Sequence, residues 1–167
     1  LEDDTEPKAA LTQEQEEKLL DFARSDKVYQ KYVDEIIILL GTGLRISEFC
    51  GLTDNLDFEN RIINVDHQLL KDSQVGYYIE TPKTKNGVRQ IPMSENVYQA
   101  LKRVIKNRGK AEPIIIDGYR NFLFLNQNGY PKVACNYTGM LKGLVKKYNK
   151  YHEEELPNIT PHTLRHT

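Results

Sequence analysis

Little in this chain is suited to crossing a membrane, holding a metal or closing a disulfide framework. Its longest aliphatic run, Ile36 to Leu40, is far shorter than the roughly 20 apolar residues a bilayer span needs. No signal-peptide pattern opens the chain. Cysteine is scarce: Cys50 and Cys135 are the only two among 167 residues. Both sit in apolar contexts without metal-like spacing, which predicts a reducing, intracellular and hence cytoplasmic setting. The sequence leaves a disulfide between them open. No carboxylate cluster has the pattern of a magnesium site, and there is no internal repeat or low-complexity tract. Net charge is only −1, which taken alone argues against a polyanionic partner.

The distribution of that charge argues the other way. Residues 1–35 hold 5 Lys/Arg against 11 Asp/Glu, a balance of −6, whereas residues 81–151 hold 14 against 3, a balance of +11. A basic stretch of this length inside a folded domain can turn a positive face towards nucleic acid, or it can simply form solvated helix faces.

The acidic residues 1–10 read as a linker or arm, and 11–167 as one domain. Thr12-Gln13-Glu14-Gln15 is a capping box opening a helix to about Arg24. Tyr29, Tyr32, Val33, Ile36, Ile37 and Leu40 recur at helical spacing and predict a second helix from about Val28, buried nearly all round. Gly41-Thr42-Gly43 breaks it, and a short helix follows from Leu44. From Arg61 the period changes. Ile62 to His67, Tyr77 to Glu80 and Val88 to Pro92 predict a three-stranded antiparallel sheet, with Asn86-Gly87 as the hairpin turn between the last two strands. Ser94 or Asn96 caps a helix to about Arg108, and residues 132–151 are mostly helix. The expected fold class is mainly α with a small antiparallel sheet (α+β).

Three short stretches carry chemistry. Arg45 follows a glycine turn among apolar neighbours, with Glu48 three residues on, where it can orient the guanidinium or form an ordinary surface ion pair. Lys83 and Lys85 sit on a basic turn, either solvated or carried to a phosphate. Thr160 is a good N-cap and Pro161 suits the first helical position. A helix starting there sets His162 and Arg165 on one face: an imidazole for proton transfer and a guanidinium for charge, beside free backbone N–H groups.

Thr42-Gly43-Leu44-Arg45-Ile46-Ser47-Glu48, then Pro82-Lys83-Thr84-Lys85 through Arg89-Gln90-Ile91-Pro92, then His162-Thr163-Leu164-Arg165-His166-Thr167 resemble, in order and spacing, the catalytic domain of tyrosine recombinases, the phage-integrase family. The flavour is similar to integrases of Gram-positive conjugative transposons, and the resemblance runs from about Leu11 to the end. It implies site-specific DNA recombination and integration. Arg45 and Arg165 would clamp the scissile phosphate, Lys83 (with Lys85 as fallback) would protonate the leaving 5′-oxygen, and His162 would transfer a proton. Glu48 would support the first arginine, and His166 would be structural. No metal or cofactor is implied, because two planar, always-charged guanidinium groups suit phosphoryl transfer. The implied partner is double-stranded DNA, contacted through Lys85, Arg89, Lys132, Lys142 and Lys146, with the full-length protein a tetramer on paired sites.

The resemblance is incomplete in one respect. The family's nucleophilic tyrosine lies beyond the second arginine, whereas all ten tyrosines here precede His162. The chain therefore reads as a truncated catalytic domain without its nucleophile, inactive in cleavage by itself. The alternative is a recombinase-like DNA-binding module without chemistry. A zinc site at His162 and His166 fits poorly, since Thr163 stands where a metalloprotease helix needs Glu and no third ligand is apparent.

Overall fold

The computed structural model describes residues 10–109 and 113–167. Residues 1–9 of the expected acidic arm lie outside them. Among the described residues the architecture is mainly helical with small antiparallel sheets, the expected class.

Local chemistry explains where each helix begins. At α1 (Gln13–Ser25) the Thr12 hydroxyl accepts the Gln15 N–H at 3.1 Å, and the Gln15 side chain accepts the Thr12 N–H at 2.9 Å, a full capping box. The second helix starts later than its apolar period suggests. The Asp26 carboxylate accepts the N–H groups of Val28 and Tyr29, holding that stretch in a turn. Gln30–Tyr32 is a 3-10 turn, and α2 is Val33–Thr42. After the short α3 (Ile46–Cys50), Ser94 caps α4 (Glu95–Arg108), and α5 (Ala134–Tyr151) completes the long helices.

Helix α2 is the centre of the packing. Ile36, Ile38 and Leu39 are fully buried, and the helix touches α1, α4 and the terminal α6 (Pro161–His166). The Phe49 and Phe124 rings stack at 4.0 Å, and Tyr137 meets Phe49 edge-on at 5.2 Å, which joins α3, the irregular segment before α5, and α5. Cys50 lies in this core and Cys135 is exposed; both are free thiols.

The sheet departs from the expected three strands. Among the described residues there are four, β1 (Ile62–Val65), β2 (Gln68–Asp72), β3 (Gly76–Glu80) and β4 (Arg89–Pro92), paired antiparallel as two separate ladders, β1 with β4 and β2 with β3. The tight hairpin is at 72–76, where the Asp72 carboxylate accepts the N–H groups of Gln74 and Val75 and Gly76 takes a left-handed φ of 81°. Asn86-Gly87 forms no hairpin. Neither residue takes the positive φ that a type I′ turn requires, and Lys85–Gly87 is a single 3-10 turn. Strand β4 returns to β1 instead, with Ile63 opposite Ile91, so residues 81–88 bridge from one ladder to the other.

The two charge blocks are cross-paired. Asp26 meets Lys147 at 2.6 Å, Asp34 meets Arg103 at 2.8 Å, and Glu35 meets Lys132 at 2.7 Å. Part of the basic excess thus fastens α4, α5 and the segment before α5 onto the acidic N-terminal third. The Glu35–Lys132 pair is the deepest, its side chains 8% and 16% exposed. Burial pushes the Glu35 carboxyl above its ordinary 4.5, and Lys132 opposes the shift.

Lys132→Met leaves Glu35 uncompensated and is expected to cost about 3 kcal/mol at neutral pH. The folded variant then holds a Glu35 proton that the unfolded chain loses above its ordinary value of 4.5. Its stability should therefore fall as pH rises through that window and recover towards wild type below it. Denaturant unfolding of both proteins across pH 4–8 checks this.

Candidate phosphate-binding site

The chain reverses sharply between α2 and α3, and that reversal places Arg45. Thr42 Oγ1 donates to the Ile38 carbonyl at 2.7 Å, and Gly43 closes the helix in the left-handed region at φ 65°, where a side chain is disfavoured. Arg45 then takes an extended backbone at the N-cap of α3. Its N–H donates to Oε1 of Glu48 at 2.9 Å, half of a capping box. The Arg45 guanidinium leaves this frame outward: its side chain is 62% exposed and its Nη1 stands 3.9 Å from Glu48 Oε2.

Glu48 itself is buried, its side chain 8% exposed. Its principal partner is Arg89 on β4, whose Nη1 and Nη2 donate to the two carboxylate oxygens at 2.6 and 2.8 Å. Burial pushes the Glu48 carboxyl up. The Arg89 hydrogen bonds, the Arg45 N–H and the charges of both arginines outweigh it, and the net shift is downward. The bidentate fork thus keeps a buried carboxylate ionised.

A cavity of about 280 Å³ opens beside this frame, lined by Arg45, Glu48, His67, Gln68, Thr81 and Lys83 among others. Lys83 reaches it from the bridge between the ladders. That bridge is drawn tight where Gly87 lies against Pro82: a Cβ on Gly87 would fall 2.3 Å from the Pro82 Cβ. Lys85 opens the 3-10 turn further along, is exposed, and does not line the cavity. His67 had no role in the sequence reading beyond a strand position. Its Nδ1 lies 2.6 Å from Asp66 Oδ1 and its Nε2 2.6 Å from the Gly51 carbonyl, with the ring against Tyr119. Those contacts fix it as one wall of the cavity.

Helix α6 brings the last stretch to the same place. The Thr160 hydroxyl accepts the Thr163 N–H at 3.2 Å, and the Leu11 N–H donates to Thr167 Oγ1 at 3.0 Å, so both ends of the helix are tied. A Cβ on Gly43 would stand 3.7 Å from the Arg165 carbonyl, which sets α6 directly against the α2–α3 turn. Arg165 is half-buried. Burial pulls its basicity down first and the Arg45 charge next; Glu48 opposes and Arg89 adds to the lowering. The Arg165 backbone thus lies beside Gly43, two positions before Arg45, although the two arginines are 120 positions apart in sequence. His162 Nε2 meets His166 Nε2 at 2.9 Å, an arrangement in which one ring donates and the other accepts.

The five side chains read as DNA contacts separate into two groups. Lys85, Lys142 and Lys146 are exposed, the last two one helical turn apart on α5. Arg89 is held by Glu48 and Lys132 by Glu35, so neither presents an open cation. Two larger clefts, about 440 and 510 Å³, lie around Lys31, Asn126 and Lys132, but the buried cation there already has its carboxylate. No tyrosine lines the cavity of Arg45 and Lys83, and among the described residues no group of three or more His, Cys, Asp or Glu is placed to hold a metal.

Residues 9–167 match the phage integrase family. The transposase from transposon Tn916 of Enterococcus faecalis is 67% identical over 168 residues, a match covering 100% of this chain and 42% of that protein. Tyrosine recombinase XerA of Pyrococcus horikoshii is 28% identical over 159 residues, covering 95% of this chain and 45% of that one. The structure of the Tn1549 transposon integrase in complex with transposon right end DNA superposes with a TM-score of 0.94 at 67% identity, over 99% of this chain and 53% of that one. The crystal structure of XerA recombinase shares the fold, with a TM-score of 0.67. The chain thus spans less than half the length of these curated relatives. With the arginine, lysine and histidine stretches in order on this fold, the chain belongs to the phage integrase family.

Proposed function

We propose that this chain is the larger part of the catalytic domain of a site-specific DNA recombinase that integrates a mobile element. It acts inside the cell on double-stranded DNA, within a full-length protein that assembles as a tetramer on paired sites. The observation that supports the proposal is the packing of α6 against the α2–α3 turn, which brings the Arg165 backbone beside Gly43, two positions before Arg45, whose side chain shares a cavity with Lys83. Two guanidinium groups carried by neighbouring turns can bind one anion together, and a phosphodiester is such an anion.

In strand cleavage a tyrosine oxygen attacks phosphorus, the bond to the 5′-oxygen breaks, and that oxygen needs a proton. Charge builds on the non-bridging oxygens during the attack, where Arg45 and Arg165 donate. Lys83 gives its proton to the leaving oxygen, and His162, beside His166, handles proton transfer on the same helix face as Arg165. The nucleophile comes from outside these 167 residues, since none of the ten tyrosines lines the cavity. DNA-backbone contacts are supplied by Lys85, Lys142 and Lys146. Arg89 and Lys132, engaged with buried carboxylates, act through the fold instead.

Three outcomes are expected. This chain, incubated with nicked recombination-site DNA and run on a denaturing gel, gives no covalent protein–DNA adduct, whereas a chain extended past Thr167 does. An adduct on any tyrosine from Tyr29 to Tyr151 refutes the assignment of the nucleophile. In the extended chain, Arg45→Lys keeps the charge and loses the bidentate fork. Cleavage should fall by about a hundredfold with DNA affinity largely retained; wild-type cleavage removes Arg45 from the site. The affinity of this chain for duplex DNA should drop steeply with salt as counterions are released, and Lys142→Gln/Lys146→Gln should flatten the log–log slope by roughly 2. An unchanged slope removes those lysines from the interface.

A further inference from the structure

Glu48 stands between two arginines and binds them unequally. Arg89 takes both carboxylate oxygens, at 2.6 and 2.8 Å. The Arg45 guanidinium is left 3.9 Å from Oε2, outside hydrogen-bond range and 62% exposed. Yet Arg45 is anchored to the same carboxylate through its own backbone N–H, which keeps its side chain near Glu48. An arginine and a glutamate three positions apart can close into an ion pair. Here the gap stays at 3.9 Å while the fork from β4 occupies both carboxylate oxygens.

We infer that Arg89 is a positioning residue that holds Arg45 open: by neutralising Glu48 from the far side it prevents that carboxylate from capturing the Arg45 guanidinium, and so leaves Arg45 available for an anion in the cavity. The inference rests on the phosphate-site reading of Arg45 above. It assigns Arg89 a role other than touching DNA backbone. It also couples two parts of the site, because Arg89 begins the strand that leaves the bridge carrying Lys83. The same ion pair that frees Arg45 fixes the downstream end of that bridge against α3. A lysine at 89 keeps the charge but offers only a single point of contact, so it would leave one oxygen of Glu48 open to Arg45.

The test uses this chain with 15N-labelled arginine, reading the order of the Arg45 Nε–Hε group by heteronuclear relaxation, before and during titration with inorganic phosphate. In Arg89→Gln the Arg45 side chain should become ordered against Glu48, and phosphate affinity at Arg45 and Arg165 should fall about fivefold, the scale of one exposed ion pair. Adding Glu48→Gln to Arg89→Gln removes the charge that captures Arg45. Arg45 mobility should then recover towards wild type, although stability does not. A purely structural role predicts no such recovery, since the double variant lacks the ion pair altogether. Arg89→Lys, the milder change, should fall between and guards against unfolding of the glutamine variant. If Arg45 is as mobile in Arg89→Gln and Arg89→Lys as in wild type, the inference is overturned, whatever phosphate does. If phosphate leaves Arg45 and Arg165 unperturbed in wild type, the phosphate reading fails on its own, and the relaxation data still decide whether Arg89 holds Arg45 open.

Discussion

The site depends on one buried carboxylate. Glu48 caps the start of α3 through the Arg45 N–H and receives the fork of Arg89 from β4. An ionised carboxylate with three hydrogen bonds joins α3 to β4 there. A buried charge is tolerated only when paired and hydrogen-bonded, and that condition fixes where three things stand: the backbone of Arg45, the start of β4, and through β4 the bridge that carries Lys83. The arrangement leaves Arg45 and Lys83 lining one cavity beside a carboxylate that Arg89 already neutralises.

The rest of the molecule supports that cluster from behind. The apolar α2 packs against α1, α4 and α6, and its glycine stop turns the chain into Arg45. Capping at Thr160 and the bond from Leu11 to Thr167 hold α6 against the same turn. The acidic N-terminal third and the basic middle are one electrostatic system: Asp26, Asp34 and Glu35 each take a cation from α4, α5 or the segment before α5. The net charge of −1 therefore conceals internal pairing as well as an open basic surface at Lys142 and Lys146.

What was legible in the sequence was local. The capping box at Thr12, the N-cap at Thr160 and the glycine stop after the second helix are encoded within a few residues of where they act and stand where expected, whereas that helix begins five residues later than its apolar period suggests. The resemblance in three short stretches added the site, because it links positions that no periodicity connects. Long-range partnerships were illegible. Arg89 reads as a basic strand residue, and nothing near it in sequence says that its guanidinium meets Glu48 across 41 positions. Lys132 looked like one more exposed cation, although it reaches Glu35 across 97. Asn86-Gly87 carries the strongest short-range hairpin signal in the chain. Here tertiary pairing of β4 with β1 and the close approach of Gly87 to Pro82 override it.

The central claim is that Arg45 and Arg165 converge on one oxyanion beside Lys83. A crystal of this chain grown with tungstate tests it most directly, because the anomalous signal of tungsten locates a phosphate-sized anion without reference to any mechanism. A single strong peak is expected within hydrogen-bond range of both guanidinium groups, at the mouth of the cavity lined by Lys83. Tungstate bound elsewhere, with Arg45 and Arg165 turned to opposite faces, would contradict it.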